Sequence, residues 1–305
     1  MARRAAKFLS ITRQNDGGEM AGVSNPGPSL RSQWLGEKLR ELRNSKKLPL
    51  KAVGEYLQRD ASTISRYENG EFPIRLIDLQ ALLSLYGVSD RKEREGFEQI
   101  CKDSWQKGWW DQHRDDLGEE FINLPWLESR ADRICAYQVM VVHGLLQTRA
   151  YAEALIRNVD ERKASEDQIE RWVDLRIDRQ RVLSDDGGPS FAVILEEYVL
   201  NRPIGGAAIW RAQLEHLIEQ SERDNIEVRI MPVDRAPHAG HQGTFTLFEL
   251  PEPYTPVAYI DTLGGPLFIE EPTVQRFSDV WNDLDSQALS PKRSRQMIAN
   301  RLKES

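Results

Sequence analysis

A short run near the N-terminus, DASTISRYENG at positions 60–70, carries side chains that can read a DNA base edge. Ile64 and Tyr67 lie three positions apart and therefore share one face of a helix. When that face points inward, the polar side chains that lie outward or on the flanks are Ser62, Thr63, Ser65, Arg66 and Asn69. Small hydroxyls permit close approach to DNA, and a guanidinium one turn later can bind guanine or phosphate. The run fits a recognition helix, although on spacing alone any helical hairpin with a polar outer face is the better explanation.

The residues just before this run predict the first helix of a helical pair. Val53 and Leu57 are four positions apart and share a face. Asp60 stands where an N-cap carboxylate accepts hydrogen bonds from the free amides of the second helix. Gly70 tolerates the left-handed conformation that ends a helix. Side chains around the second helix are candidate phosphate contacts, namely Lys51, Arg59, Asn69 and Arg75.

A second set of polar residues, in the C-terminal part of the chain, has types that occur in catalytic or metal sites. His238 and His241 lie in a glycine-containing loop. Carboxylates near predicted strand ends are Glu196, Glu197, Asp261, Glu270 and Glu271. Two histidines three apart can ligate a metal, but no third ligand stands at a readable spacing. The chain has no glycine-rich phosphate loop, nucleophile elbow or HExxH helix. We therefore expect no catalytic residue, no metal and no cofactor.

Further helices must surround the helical pair to hold it in place. Trp34–Ser45 is amphipathic, with leucines on its inner face. Another helix begins after Pro73 and ends at Gly87, and a third runs from Asp90 towards Trp110. Together these elements predict an all-α, five-helix DNA-binding head. We predict four segments: a disordered tail at 1–33, a helix-turn-helix domain at 34–88, a connecting helix at 89–110 and an effector or dimerisation domain at 111–305.

The tail allows two interpretations. Its arginines and lysine at 3, 4, 7 and 13 are typical of a basic arm for the minor groove. Alternatively, Met20 is the true start and residues 1–19 are not translated.

From about Asp111 the pattern changes to mixed helices and strands. Helices are predicted at 143–159, 168–184, 207–223, 273–284 and 291–302. Strands are predicted at 191–195, 227–231, 245–248, 257–260 and 267–269, the last three as a meander. The expected fold of this body is an α+β domain with an antiparallel sheet.

Composition and charge agree with a DNA-binding head on a globular body. The 305 residues are 29% charged and 40% hydrophobic, and no apolar run approaches the length of a membrane span. The net charge of −7 is unevenly divided, because residues 31–77 carry ten Lys/Arg against six Asp/Glu whereas residues 78–305 carry −13. A basic head on an acidic body confines the attraction for DNA to the head. We expect a cytoplasmic, nucleoid-associated protein with no membrane contact.

The string ISRYENG at 64–70, after the capped turn and the Val53/Leu57 pair, resembles the helix-turn-helix of phage-repressor-type (Cro/C1, XRE) regulators. The resemblance covers about residues 34–88 and implies binding to double-stranded DNA. It departs from the family at Gln58, where a turn glycine is usual. It also implies a bidentate ion pair between Arg43 and Glu68. Independently, both side chains lie beside inward positions of their helices, so a carboxylate there needs a cation.

The body resembles the uncharacterised C-terminal domain of the actinobacterial WhiJ-like group. The stretch HGLLQTRAYA at 143–152 is similar to its PGLLQTxxYA signature, and RIDRQ at 176–180 matches its RxxRQ stretch. His143 departs from the usual proline. In that group a small partner protein is often encoded nearby, so the resemblance implies a protein effector.

These observations predict a sequence-specific transcriptional regulator. Its body dimerises and senses a small-molecule effector or a small partner protein. We expect a homodimer held by the body, since the head has few spare apolar residues. The alternatives are a metabolite-converting enzyme with an attached DNA-binding head, and an adaptor whose head has lost DNA binding. A pocket with converging polar groups and perturbed carboxylates favours the enzyme, whereas a flat apolar patch favours partner docking.

Overall fold

The computed structural model describes residues 29–110, 123–159, 164–184, 187–235, 237–263 and 265–304. Its N-terminal part is helical. The helices are α1 (Leu30–Ser45), α2 (Leu50–Leu57), α3 (Ala61–Glu68), α4 (Leu76–Leu85) and α5 (Arg91–Trp105). Their apolar faces meet around Leu39, Val53, Ile64 and Leu79. The predicted five-helix head is confirmed.

The ends of the head differ from the predicted boundaries. The Ser29 side chain accepts a hydrogen bond from the Ser32 amide and caps α1, so residues 30–33 are helical rather than part of a disordered tail. A tertiary contact supports this first turn, because the Leu30 amide donates to Asn123 Oδ1 at 3.1 Å. Residues 1–28 lie outside the described residues. At the other end α5 stops at Trp105, and Gln106 has an extended backbone.

The turn between α2 and α3 is closed by a residue that is not glycine. Gln58 adopts the left-handed conformation, with φ 55° and ψ 43°. The Arg59 amide then donates to the Gly54 carbonyl at 2.8 Å. Asp60 occupies the N-cap position of α3, but its side chain makes no capping hydrogen bond, so that part of the prediction is wrong. At its other end α3 packs closely on α1, since a Cβ at Gly36 would lie 2.8 Å from the Glu68 carbonyl oxygen.

The C-terminal part contains a six-stranded sheet in the order β3-β2-β1-β4-β5-β6. The strands are β1 (Arg133–Gln138), β2 (Ser190–Glu196), β3 (Ile226–Met231), β4 (Phe245–Glu249), β5 (Val257–Thr262) and β6 (Gly265–Ile269). The β4–β5–β6 meander is antiparallel, and so is the pairing of β1 with β4. The pairs β1–β2 and β2–β3 are parallel. The α+β class is confirmed, with a mixed sheet that is largely antiparallel.

Helical crossovers explain the parallel pairs, because a parallel connection needs a long return path. The helices of the body are α6 (Asn123–Arg130), α7 (Arg149–Val159), α8 (Glu166–Arg179), α9 (Glu197–Leu200), α10 (Ala207–Gln220), α11 (Val274–Gln287) and α12 (Pro291–Glu304). Helices α7 and α8 connect β1 to β2, and α9 and α10 connect β2 to β3. Within the described ranges, no helix is both long enough and apolar enough to span a membrane.

Apolar side chains fill both faces of the sheet. On β1, Ile134 and Ala136 belong to one core, while Cys135 and Tyr137 belong to a second core. The second cysteine, Cys101, is buried in the head. Burial raises the pKa of the Cys101 thiol to about 11 and that of Cys135 to about 12, so both stay protonated at neutral pH.

Head and body share one packed junction. Trp34 on α1 lies edge-on to Trp126 on α6, with ring centroids 5.8 Å apart, and both rings contact Tyr254. The Arg31 guanidinium lies 5.0 Å from the Trp126 ring centroid and donates to the Asp103 carbonyl oxygen at 2.7 Å. Helix α6, which the sequence pattern did not reveal, therefore packs on α1 together with Tyr254.

Candidate functional site

The outer face of α3 presents the polar side chains that the helix pattern placed there. Ser62, Arg66 and Asn69 are exposed, and Thr63 and Ser65 are partly exposed. The opposite face is held in the core, where Ile64 is 1% exposed. The five polar side chains therefore share one accessible surface, and their contact with DNA stays a prediction.

The Arg66 guanidinium is held loosely at the C-terminal end of this surface. Its Cζ lies 5.4 Å from the Phe72 ring centroid, and its Nε lies 3.8 Å from Glu71 Oε2. The Arg66 side chain is 56% exposed. An ion pair this exposed contributes under about 1 kcal/mol, so the guanidinium can leave it to bind a base.

The candidate phosphate-binding side chains differ in whether they already bond to another residue of the protein. Lys51 and Arg75 are exposed. The Arg59 guanidinium is instead 3.4 Å from Asp78 Oδ2. Asn69 accepts a hydrogen bond from Arg40, a cation on α1 that the sequence reasoning missed. Its position beside α3 was not readable from helical spacing, because it depends on how α1 packs against α3.

A bidentate ion pair joins α1 to the end of α3. Arg43 Nε donates to Glu68 Oε1 at 2.6 Å, and its Nη2 donates to Oε2 at 2.9 Å. The side chains are 13% and 4% exposed. The hydrogen bond to Glu68 raises the pKa of Arg43. Arg40 Nη2 also donates to the Glu68 carbonyl oxygen at 2.8 Å. The structure thus brings the two residues together as facing, buried partners that orient α3.

The histidines singled out as metal candidates form a different arrangement. His238 Nε2 lies 3.2 Å from Glu196 Oε1, and the Tyr137 hydroxyl donates to the same oxygen at 2.5 Å. His241 is exposed, and its Nδ1 lies 3.2 Å from the His238 carbonyl oxygen. Within the described residues, no three His, Cys, Asp or Glu side chains are grouped so that they can hold a metal ion.

Two sequence motifs of the body meet in space. The stretch 143–148 forms the loop and short 3-10 turn after β1, and 176–180 ends α8. Gln180 Nε2 donates to the Gly144 carbonyl at 3.0 Å and to the Gln147 carbonyl at 2.7 Å. The Gln180 side chain therefore serves a structural purpose, because it holds the turn against the end of α8.

A further glutamine, fully buried on α10, also holds this turn. Gln213 Oε1 accepts from the Thr148 amide at 2.8 Å, and its Nε2 donates to the Leu146 carbonyl at 2.7 Å. Its relative exposure is 0%. Both the oxygen and the nitrogen of its amide are thus bonded to the turn, which is attached to α10 at two points.

A cavity of about 560 Å³ opens beside the turn at 143–148 and the end of α8. Its walls are mostly apolar, and they come from α6, α7, α8, β4, β5 and the loop after β1. The polar side chains that line it are Gln138, His143, Gln147, Arg176, Arg179, Thr244, Thr246, Tyr259 and Asp261. The cavity has the size and the character of a small-molecule site.

His143 lines the cavity as a neutral imidazole. Burial, together with the nearby Arg179 and Arg176, lowers the pKa of His143 to about 3. Its Nδ1 accepts from the Leu145 amide at 3.2 Å, so the proton lies on Nε2, 3.4 Å from Thr246 Oγ1. A base with so low a pKa is poorly suited to proton transfer at neutral pH.

Comparison with known families covers both parts of the chain. Residues 34–97 match a helix-turn-helix domain, and residues 121–300 match a domain of unknown function, DUF5753. No curated protein and no solved structure matches the chain. The helix-turn-helix match supports DNA binding and a role in transcription regulation. Since the second match spans more than half of the chain, the protein belongs to the DUF5753 family, with a helix-turn-helix domain preceding that domain.

Proposed function

We propose that this protein is a cytoplasmic, nucleoid-associated transcriptional regulator of the phage-repressor (Cro/C1, XRE) type, in the actinobacterial WhiJ-like group. Its head reads an operator through α3. Its body dimerises and senses an effector. The observation that carries the proposal is the exposed polar face of α3, which the buried Arg43–Glu68 pair orients against α1.

Loss of the Arg66 guanidinium tests this proposal directly. Chromatin immunoprecipitation followed by sequencing first supplies the operator. Fluorescence anisotropy with that duplex is then expected to show that Arg66→Ala costs about 1–3 kcal/mol of specific binding and relaxes the preference at one base pair. Arg91→Ala, which removes an exposed arginine on α5, is the matched control. An equal loss on every duplex would make Arg66 a phosphate contact instead.

The salt dependence of DNA binding tests the orientation of the head. Replacing Lys51, Arg59 or Arg75 with alanine is expected to weaken all duplexes alike. Each change should also make the slope of log K against log salt shallower by about one unit. Lys102→Ala on α5 is the charge-matched control. Unchanged slopes in all three variants would place DNA on another face of the head.

We assign the dimer contact to the free edge of the sheet. Among the described strands, β6 pairs only with β5, and its Leu267 is 52% exposed. The opposite edge strand, β3, is covered, since the Ile230 amide donates to Ser294 Oγ of α12. The head also offers an exposed apolar side chain, because Ile77 is 73% exposed. Both candidate surfaces must therefore be tested.

Light scattering on the full chain is expected to give about twice the chain mass of 35.1 kDa. An unpaired strand edge associates readily with a second copy, and a lysine blocks such pairing. Leu267→Lys should therefore be monomeric, while Ile77→Lys should remain a dimer. A wild-type mass of one chain at micromolar concentration would contradict the dimer. A monomeric Ile77→Lys variant would move the interface to the head.

The shape and the lining of the cavity favour a small-molecule site over a docking surface for a partner protein and over an enzyme active site. It is concave and closed on several sides, which differs from the flat apolar patch of a docking surface. Its lining offers one carboxylate among the described residues, Asp261, and a histidine with a very low pKa. These lining side chains fit the binding of a small molecule better than acid–base catalysis.

A further inference from the structure

Arg176 projects a guanidinium into the cavity without a matching anion. Its Nη1 donates to the neutral Gln147 Oε1 at 3.1 Å, and within the described part of the chain no carboxylate lies within ion-pair distance. Burial and the neighbouring Arg179 lower the pKa of Arg176 to about 10, so it is still charged at neutral pH. A charge withdrawn from water without a partner is unfavourable. An anion entering the cavity would relieve that cost.

The neighbouring arginine does not share this property. Arg179 forms a bidentate pair with Glu128, with Nε to Oε2 at 2.9 Å and Nη2 to Oε1 at 2.5 Å. Its side chain is 7% exposed and that of Glu128 is 2% exposed. The charge of Arg179 is therefore balanced at contact distance inside the domain, whereas Arg176 feels Asp261 and Glu128 only from beyond ion-pair distance.

Two further polar groups face the same space with bonding capacity to spare. Within the described residues, neither the Tyr259 hydroxyl nor the Gln138 amide makes a side-chain hydrogen bond. Burial raises the pKa of Tyr259 to about 12, so its hydroxyl remains a hydrogen-bond donor at neutral pH. Donors that converge with a guanidinium match the oxygen atoms of an oxyanion.

The rest of the wall fits an apolar body. Leu155, Ile156, Trp172, Leu175 and Phe245 line the cavity. A volume of about 560 Å³ admits a ligand considerably larger than a free inorganic ion. The lining therefore combines one anion-binding end with a hydrophobic remainder.

We infer that this cavity binds a small organic acid, with its carboxylate on the Arg176 guanidinium and its apolar portion against the surrounding side chains. This inference names a ligand class for the effector-sensing part of the proposed function. Only the expected effect of the ligand on DNA binding rests on that proposed function. Asp261, exposed on β5 and lining the same cavity, opposes an anion electrostatically and keeps the affinity moderate.

Helix α6 gives the ligand a physical route to the head. Leu124 of α6 lines the cavity, and Glu128 holds Arg179 next to Arg176. On the same helix, Trp126 packs on Trp34 of α1. A ligand that shifts α6 thus shifts the helix on which α3 is braced. By linkage, operator DNA and ligand must change each other's affinity by the same factor.

Isothermal titration calorimetry on the full chain, without DNA, tests the site. The probes are matched acids and amides of the same shape: 1-naphthylacetate with 1-naphthylacetamide, and hexanoate with hexanamide. The wild type is expected to bind at least one acid about tenfold to a hundredfold more tightly than its amide. Arg176→Met should abolish that preference, and Asp261→Asn should tighten binding of the acid.

Two variants guard against misfolding and nonspecific charge effects. Arg181→Met removes an exposed arginine just beyond α8 and should leave the preference intact. Arg176→Lys keeps the charge and should retain a reduced preference. The inference is overturned if no acid binds the wild type at about 1 mM, if amides bind as tightly as acids, or if folded Arg176→Met keeps the preference. Acid binding that leaves operator affinity unchanged would support the site and refute effector sensing instead.

Discussion

Replacement of Glu68 by alanine is expected to lower the free energy of unfolding by about 3–5 kcal/mol, because it leaves the partly buried Arg43 guanidinium without its anion. Arg43→Ala should cost a similar amount, since Glu68 is then buried with only the looser Arg40 contact, 3.6 Å away. Urea denaturation followed by circular dichroism measures both losses. The same variants should weaken operator binding, because the bridge orients α3 against α1.

A double variant separates the pair's net contribution from the cost of a lone buried charge. Arg43→Met combined with Glu68→Leu keeps a similar volume and should lose far less than either alanine variant. Glu55→Ala, at an exposed acidic position on α2, is the matched control and should be nearly neutral. Losses under about 1 kcal/mol in both single variants would show that the pair behaves as two solvated surface charges.

The second large effect is expected at the pair between α6 and α8. Glu128→Ala removes the buried carboxylate that pairs with Arg179 and leaves that guanidinium next to the charge of Arg176, so the free energy of unfolding should fall by about 3–5 kcal/mol. Thermal and urea denaturation of the variant measure the loss. Because α6 also carries Trp126 at the head–body junction, DNA affinity should fall in parallel.

An exposed ion pair at the end of α8 provides the control for the buried Glu128–Arg179 pair. Arg181 pairs with Asp178, and these side chains are 78% and 30% exposed. Arg181→Ala should therefore cost under about 1 kcal/mol. The apolar double variant Glu128→Leu with Arg179→Met should recover most of the stability lost in Glu128→Ala. A Glu128→Ala variant as stable as Arg181→Ala would show that water or another group solvates Arg179.

Local pattern alone was enough for the head and for most elements of the body. The spacing of Val53 and Leu57, and of Ile64 and Tyr67, predicted the helical pair and the outward face of α3. The five strands predicted in the body are all present. These features were readable because each depends on near neighbours in the chain, whose periodicity of side-chain burial is visible in the sequence. The facing of Arg43 and Glu68 was also readable, since a carboxylate beside an inward position needs a cation.

Only the tertiary structure revealed the sheet order and the cavity. Strand β1 escaped prediction because it lies in the middle of the sheet with both faces covered, so its residues do not alternate. Without β1, its parallel pairing with β2 could not be inferred. Arg176 likewise looked like one member of a charged motif. Whether an arginine is paired, as Arg179 is, or faces a cavity alone depends on which distant elements pack around it. Glu128 is 51 positions away in the chain, and that separation leaves no periodic signal.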